Sequence, residues 1–362
     1  MSLDQYYLLG RSGLRVSPFA LGTLTFGTDG PYGAWGSSKQ AARAVFDRYV
    51  AAGGNFIDTA DLYTRGTSES LLGEFIADGH RDRLVLTSKY SYNLAERDPN
   101  AGGNGRKNMI RALEASLKRL RTDYLDLYLL HTWDRITPAE EVVRAFDDLV
   151  RAGKIRYAGL SDVPAWYAAR AQTYAEAHAL APIVNLQLQY SLVERGIEAE
   201  FTSLATNLGM GITAWSPLAS GLLSGKYRPN SDGGGGGRLD TGTGKSLSLF
   251  TERNWQIVGA LEAVAGELGR SMAQVALQWV LTRPGVTSVI LGATRPEQLE
   301  DNLGALDLQI PPELLRRLDE ASAPPVTTPY AMFGDRYQAA VHGAAVSDRP
   351  PAFAPLVRVS LG

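Results

Sequence analysis

The sequence predicts an α/β chain folded as a closed (β/α)8 TIM barrel with an N-terminal β-hairpin and extra helices and loops at its C-terminal end. Three observations predict it. Eight short apolar segments recur along the chain, each followed by a segment of helical period. Such strict alternation implies parallel strands joined by right-handed crossovers. No Gly-x-Gly-x-x-Gly follows the first strand, and the polar residues suited to chemistry follow several different strands, as the mouth of a barrel requires. An open doubly wound sheet is the structural alternative.

In chain order, YYLLGRSGLRVSP (6–18) has two apolar runs around a Gly-containing turn, which signals a hairpin. The first buried strand is Phe19 to Thr23. A polar, aromatic and Gly-rich loop, 26–36, leads into a helix over 39–52, where Ala42, Val45, Phe46, Tyr49 and Val50 share one face. The unit then repeats: strand 54–58 and helix 68–78; strand 83–88, ending at Lys89, and helix 107–121; strand 124–130 and helix 138–152; strand 155–160 and helix 164–180; strand 183–187 and helix 195–208. Strand 211–215 precedes a long segment and helices near 254–268 and 271–283, and strand 287–291 precedes helix 296–303. The whole of 1–362 reads as one barrel domain. The glycine run 233–237 is too long and unpatterned to cradle a phosphate, so 219–253 reads as a mobile loop at the mouth. The Ala- and Pro-rich tail, 322–362, reads as irregular.

Composition narrows the function. The formal charge is −2, with no long run of like charge, so nothing suggests nucleic acid as a partner. The absence of cysteine removes disulfides, thiolate nucleophiles and Cys-ligated metals. The four histidines, His80, His131, His178 and His342, show no HExxH spacing, and no metal is expected. No apolar run reaches the ~18 residues of a membrane span, and the first residues do not read as a signal peptide. A cytoplasmic protein is the expectation.

The chemistry gathers at the strand ends. Asp58, Lys89 and His131 end the second, third and fourth strands, and Tyr63 lies on the loop after the second. Each alone has a plain alternative: a helix cap, a solvated lysine, a hydrogen-bonded rim histidine, a surface tyrosine. Together they place a carboxylate, an ammonium, an imidazole and a phenol at adjacent strand ends. A phenol titrates at about 10, and a buried ammonium beside it favours the phenolate. Asp58 would hold Lys89 charged, because an unpaired buried ammonium is costly. His131 would place a carbonyl oxygen and Tyr63 would protonate it. With no Ser or Cys nucleophile in evidence, proton transfer to a carbonyl oxygen suits this set better than hydrolysis.

The pieces GGNFIDTADLY, LVLTSKY, YLDLYLLH, KIRYAGLSD, NLQLQYSLVER, AWSPLASGLLSGKY and ILGATRPEQLEDN, taken jointly, resemble the aldo-keto reductase superfamily from the hairpin to the helix after Asn302. The resemblance implies that Asp58, Tyr63, Lys89 and His131 are the catalytic tetrad, with Tyr63 as general acid. It implies reduction of a small-molecule aldehyde or ketone to an alcohol by direct transfer of the pro-R hydride of NADPH, with NADH the lesser cofactor. It also implies the cofactor contacts. Gly22, Thr23 and Leu24 approach the nicotinamide end, with Asp58 beside them. Ser161, Asp162 and Gln187 face the carboxamide, and Trp215 stacks on the ring. Ser216, Pro217, Leu218, Ser220, Gly221 and Lys226 follow the pyrophosphate. Gly292, Ala293, Thr294, Gln298, Asp301 and Asn302 meet the adenosine end.

Two departures stand out. Family members usually have Ser-Asn where this chain has Ser161-Asp162, and an ionised Asp only accepts hydrogen bonds. Gly292 and Gln298 occupy positions that are cationic in many members, so the 2′-phosphate would fall to Arg295. Trp35, Tyr92 and Trp133 are candidate walls of an apolar substrate pocket. A second functional class stays open: an NADPH-binding redox sensor or accessory subunit of an ion channel, with slow turnover. A phosphate-binding barrel of another family would explain the eight units but not the tetrad. The sequence leaves the oligomeric state open.

Overall fold

The structure, a computed structural model, describes residues 3–229 and 237–343. Most of the glycine run (233–236) and the tail from 344 onward lie outside the described residues.

A two-stranded antiparallel hairpin, β1 (Tyr7–Leu8) and β2 (Arg15–Val16), comes first. Eight strands then close a parallel barrel: β3 (Phe19–Gly22), β4 (Phe56–Asp58), β5 (Val85–Tyr90), β6 (Leu125–Leu130), β7 (Ile155–Ser161), β8 (Ile183–Gln189), β9 (Gly211–Trp215) and β10 (Val286–Gly292), with β10 paired to both β3 and β9. The helices between them are α1 (Lys39–Ala51), α2 (Thr67–Ile76), α3 (Arg106–Leu120), α4 (Ala139–Arg151), α5 (Ala165–Ala177) and α6 (Phe201–Leu208). They continue with α7 (Gly242–Lys245), α8 (Glu252–Leu268), α9 (Met272–Leu281), α10 (Pro296–Leu303) and α11 (Pro312–Ser322). The predicted (β/α)8 barrel with its hairpin is the observed fold.

Local chemistry sets the element ends. Ser38, Thr251 and Ser271 cap α1, α8 and α9 by accepting from the backbone three residues on. The helices expected from 138 and 164 start one residue later, because Pro138 and Pro164 are extended N-caps. The helix expected to reach 180 stops at Ala177, since Ala179 is left-handed at φ 53°. The helix expected over 195–208 breaks into a 3-10 turn, Gly196–Ala199, and α6, because Glu200 leaves helical dihedrals (φ −135°).

The strands bury both faces, as parallel strands do. Ala20, Phe56, Val85, Leu127, Leu129, Val184 and Ile290 form a small cluster together with Leu9 and Val16 of the hairpin. A much larger cluster joins the sheet to the helices. The hairpin meets the strand starts closely at Gly10, whose φ is +58° and where a Cβ would lie 2.6 Å from the carbonyl oxygens of Gly209 and Val184.

Tyr49 of α1 locks the first two barrel strands together. Its buried hydroxyl lies 2.8 Å from Ser17 Oγ, 2.8 Å from Phe19 O and 2.9 Å from Phe56 O, and it accepts from Phe56 N at 3.1 Å. Tyr49→Phe leaves these buried groups short of a partner. It is expected to lower unfolding free energy by about 1–3 kcal/mol in urea titrations followed by circular dichroism. An unchanged midpoint would show that the hydroxyl does not hold the strands.

The chain divides after Ala323 into a second compact unit. Its described part carries a 3-10 turn (Tyr330–Phe333) and helix α12 (Asp335–His342). The tail expected to be irregular from 322 is therefore partly helical; its Ala- and Pro-rich composition gave no periodic signal. The segment 219–253 likewise carries 3-10 turns at Ala219–Ser224 and Arg238–Asp240, as well as α7.

Candidate active site

Parallel strands bring all their carboxyl ends to one rim. Asp58 ends β4, Lys89 is next to last in β5, His131 follows β6, Ser161 ends β7, Trp215 ends β9 and Gly292 ends β10. The fully buried Lys89 ammonium has three donors, and three acceptors meet it. They are Asp58 Oδ2 at 2.7 Å, Thr59 O at 2.9 Å and Tyr63 Oη at 3.0 Å. Burial alone would lower the Lys89 pKa; the charges and hydrogen bonds of Asp58 and Tyr63 outweigh it, so the net shift is upward. Lys89 therefore stays an ammonium at neutral pH.

The His131 ring stands edge-on to Tyr63, with centroids 5.9 Å apart, and to Tyr92, at 5.1 Å. Its surroundings, and secondly the Lys89 charge, push its pKa well below the ordinary value, so it is a neutral imidazole. The four residues of the expected tetrad are thus brought to one place. The sequence reading missed Gln187 as their support: expected at a carboxamide, its side-chain nitrogen donates to Asp58 Oδ1 at 2.8 Å. The only signal was a polar residue in a buried strand.

Other expected contacts fall differently. Thr23 is fully buried, and its hydroxyl meets Asp58 O at 3.1 Å and Ser68 Oγ at 2.8 Å, so it is engaged in packing. A Cβ at Gly22 would meet Ile290 Cγ2 at 2.6 Å, so that glycine serves strand packing. Leu24 is half-buried on the loop just beyond. The Asp301 carboxylate is held by Ser271 and Gln274 of α9, which ties α10 to α9, and Asn302 is buried beneath it. Gln298 folds back onto Thr294, accepting from its backbone N–H at 2.9 Å and its hydroxyl at 3.0 Å. Ala293 O accepts from Thr25 Oγ1 at 3.2 Å. Arg295 is the extended residue that precedes α10, its side chain makes no capping bond there and it is exposed, and a Cβ at Gly292 would meet nothing within 4 Å.

The aromatic candidates separate as well. Tyr92 stands beside His131. Trp35 lies under the Arg238 guanidinium, 4.0 Å from its ring centre, so the loop after β3 touches the segment after β9. Trp133 packs on Trp166 at 5.6 Å and lines a groove of about 490 Å³ with Trp166 and Tyr167.

Asp61, two residues before Tyr63, was also missed. It is buried, and burial, then the charge of Glu69, pushes its carboxyl up to about 8. Glu69 itself is held by Ser88 at 2.6 Å and Arg119 at 2.6 Å.

The rim suits an extended ligand with a polar head and an anionic middle. Ser161 Oγ and His131 Nδ1 are buried without a hydrogen-bond partner, so a ligand's polar atoms would satisfy them. Ser216, Ala219, Ser220 and Gly221 all have left-handed φ, between 48° and 94°. Such concentrated strain, with its turned peptide groups, is typical of anion-binding loops. Lys226 sits against Gly221 and is exposed, its ammonium 5.1 Å from the centre of the Tyr227 ring. No cluster of His, Cys, Asp or Glu able to hold a metal occurs among the described residues, and no helix there is long and apolar enough to cross a membrane.

A parallel barrel whose rim joins a dry Asp–Lys pair to a phenol and a neutral imidazole defines a class of barrel enzyme. The model of the Aldo/keto reductase family matches residues 18–323, and the chain belongs to that family. It is 38% identical to the uncharacterized oxidoreductase YrpG of Bacillus subtilis (strain 168), over 87% of this chain and 95% of the relative. It is 34% identical to an aryl-alcohol dehydrogenase (NADP+) of Phanerodontia chrysosporium, over 89% and 87%. It is also 38% identical to a protein of Schizosaccharomyces pombe provisionally named a voltage-gated potassium channel subunit beta, over 87% and 92%.

Proposed function

We propose that this protein reduces aldehydes or ketones to alcohols with NADPH, Tyr63 acting as the general acid. The observation that carries the reading is the buried chain Gln187–Asp58–Lys89–Tyr63, with contacts of 2.8, 2.7 and 3.0 Å. Bound NADPH would supply a hydride to the carbonyl carbon. Tyr63 gives its proton to the carbonyl oxygen, and Lys89 stabilises the charge left on the phenol. Asp58 holds the ammonium, and Gln187 holds Asp58. His131, neutral, hydrogen-bonds the carbonyl oxygen and fixes its direction. Ser161, Asp162 and Trp215 would receive the nicotinamide end, the strained turn 216–221 with Lys226 the pyrophosphate, and Arg295 the 2′-phosphate. Aromatic carbonyls are the first class to try, given Tyr92 beside His131 and the aryl-alcohol activity named for one relative.

The test is a titration with NADPH and NADH followed by tryptophan fluorescence, with a carbonyl panel then added while cofactor absorbance is read. NADPH binding with consumption is the expected result. Binding without consumption on a broad panel would favour the second reading, a sensing or channel-accessory subunit, to which the name of the third relative points. No binding of either nucleotide would remove the cofactor assignment.

A further inference from the structure

The geometry points to Asp162 as the residue that makes the barrel mouth distinguish the two redox states of its cofactor: ionised, it favours the positively charged nicotinamide ring, and protonated, the neutral one. This rests on the cofactor reading above and goes beyond it. Asp162 follows β7 with a left-handed backbone, φ +45°, a conformation that Asp and Asn tolerate better than most residues. Its Oδ1 accepts from the Trp215 indole N–H at 3.1 Å, so carboxyl and indole form one unit at the rim. Its main chain is pinned from both sides: its N–H reaches Gln187 O, and its carbonyl accepts from Trp133 N, each at 3.3 Å. These bonds fix the main chain, and the Trp215 bond directs the carboxyl, while the residue as a whole stays exposed to solvent.

A cofactor ring stacked on Trp215 would lie in the field of this carboxyl and strip water from it. Charges a few ångströms apart in such a site interact by far more than they do in water. A carboxylate there attracts an oxidised, cationic ring, and loses its solvent without return beside a neutral one. An asparagine would do neither.

The neighbouring charges do not obscure the effect. Lys89 of β5 is the cation whose charge reaches Asp162, and it is paired with Asp58 of β4. His131 after β6 is neutral, while Gln187 of β8, Trp215 of β9 and Trp133 bring no charge. Crowding by the barrel holds the Asp162 carboxyl up to about 6; the Trp215 hydrogen bond, the Lys89 charge and the nearby Ser161 hydroxyl temper the rise. The Ser161 hydroxyl lies close without forming a well-directed bond. The group therefore changes charge within a range easily reached in solution, whereas Lys89 and His131 keep theirs.

The experiment measures the dissociation constants of NADP+ and NADPH by tryptophan fluorescence between about pH 5 and about pH 8. The 2′-phosphate, which titrates at about 6, is common to both forms and cancels in their ratio. The ratio Kd(NADP+)/Kd(NADPH) is expected to fall about tenfold as pH rises in the wild type, and to stay flat in Asp162→Asn. In Trp215→Phe the carboxylate loses its donor, so the fall should move to higher pH. A flat wild-type ratio, or an equal slope in Asp162→Asn, would overturn the inference while leaving the reductase reading intact. Failure of both nucleotides to bind would overturn the two together.

Discussion

Tyr63→Phe is expected to reduce the chemical step by about 10²–10⁴-fold, the usual contribution of a positioned general acid. The affinity for NADPH should change little. The phenyl ring can keep its edge contact with His131, centroids 5.9 Å apart, while losing only the oxygen that Lys89 meets at 3.0 Å. Single-turnover kinetics with saturating NADPH, beside a fluorescence titration, separates the two effects. Full activity in the variant would dismiss Tyr63 as the acid. Loss of binding in step with activity would point to a structural role instead.

Lys89→Met should be more damaging, for two separable reasons. It removes the cation beside the phenol, so turnover should fall by orders of magnitude. It also strands Asp58, which is 2% exposed, as a buried carboxylate with only Gln187 as a neutral donor. Breaking a buried pair in this way typically costs about 3–5 kcal/mol. Adding Asp58→Asn should recover much of the stability without restoring turnover. Urea midpoints and rates on the two variants decide it: a double variant as unstable as Lys89→Met would dismiss the stranded charge as the cause, and a single variant with normal turnover would remove Lys89 from the chemistry.

Most of the barrel was legible because its signals are local. Apolar runs of strand length, helical faces such as Ala42, Val45, Phe46 and Tyr49, and Pro or Gly at the ends repeat along the chain in a fixed rhythm. Parallel pairing follows from that rhythm, and with it the shared rim where Asp58, Lys89 and His131 must meet. Helix ends were less legible: Ala179 and Glu200 depart from helical dihedrals with no residue type to announce it.

The sequence by itself determined which side chains reach the rim, because strand position alone carries them there. Tertiary structure decided what each one does on arrival. Gln187 supports Asp58 from 129 residues away, an encounter that exists only because the barrel closes. Trp35 meets Arg238, Trp133 turns toward Trp166, and Asp301 is taken up by α9, all through the packing of loops and helices that share no sequence period. Asp61 and Asp162 are both ordinary acids in the sequence. One is enclosed beside Glu69 and the other faces the mouth beside Trp215, and it is those surroundings that set the charge each carries. Periodicity is a property of neighbours along the chain; hydrogen bonding and desolvation belong to neighbours in space.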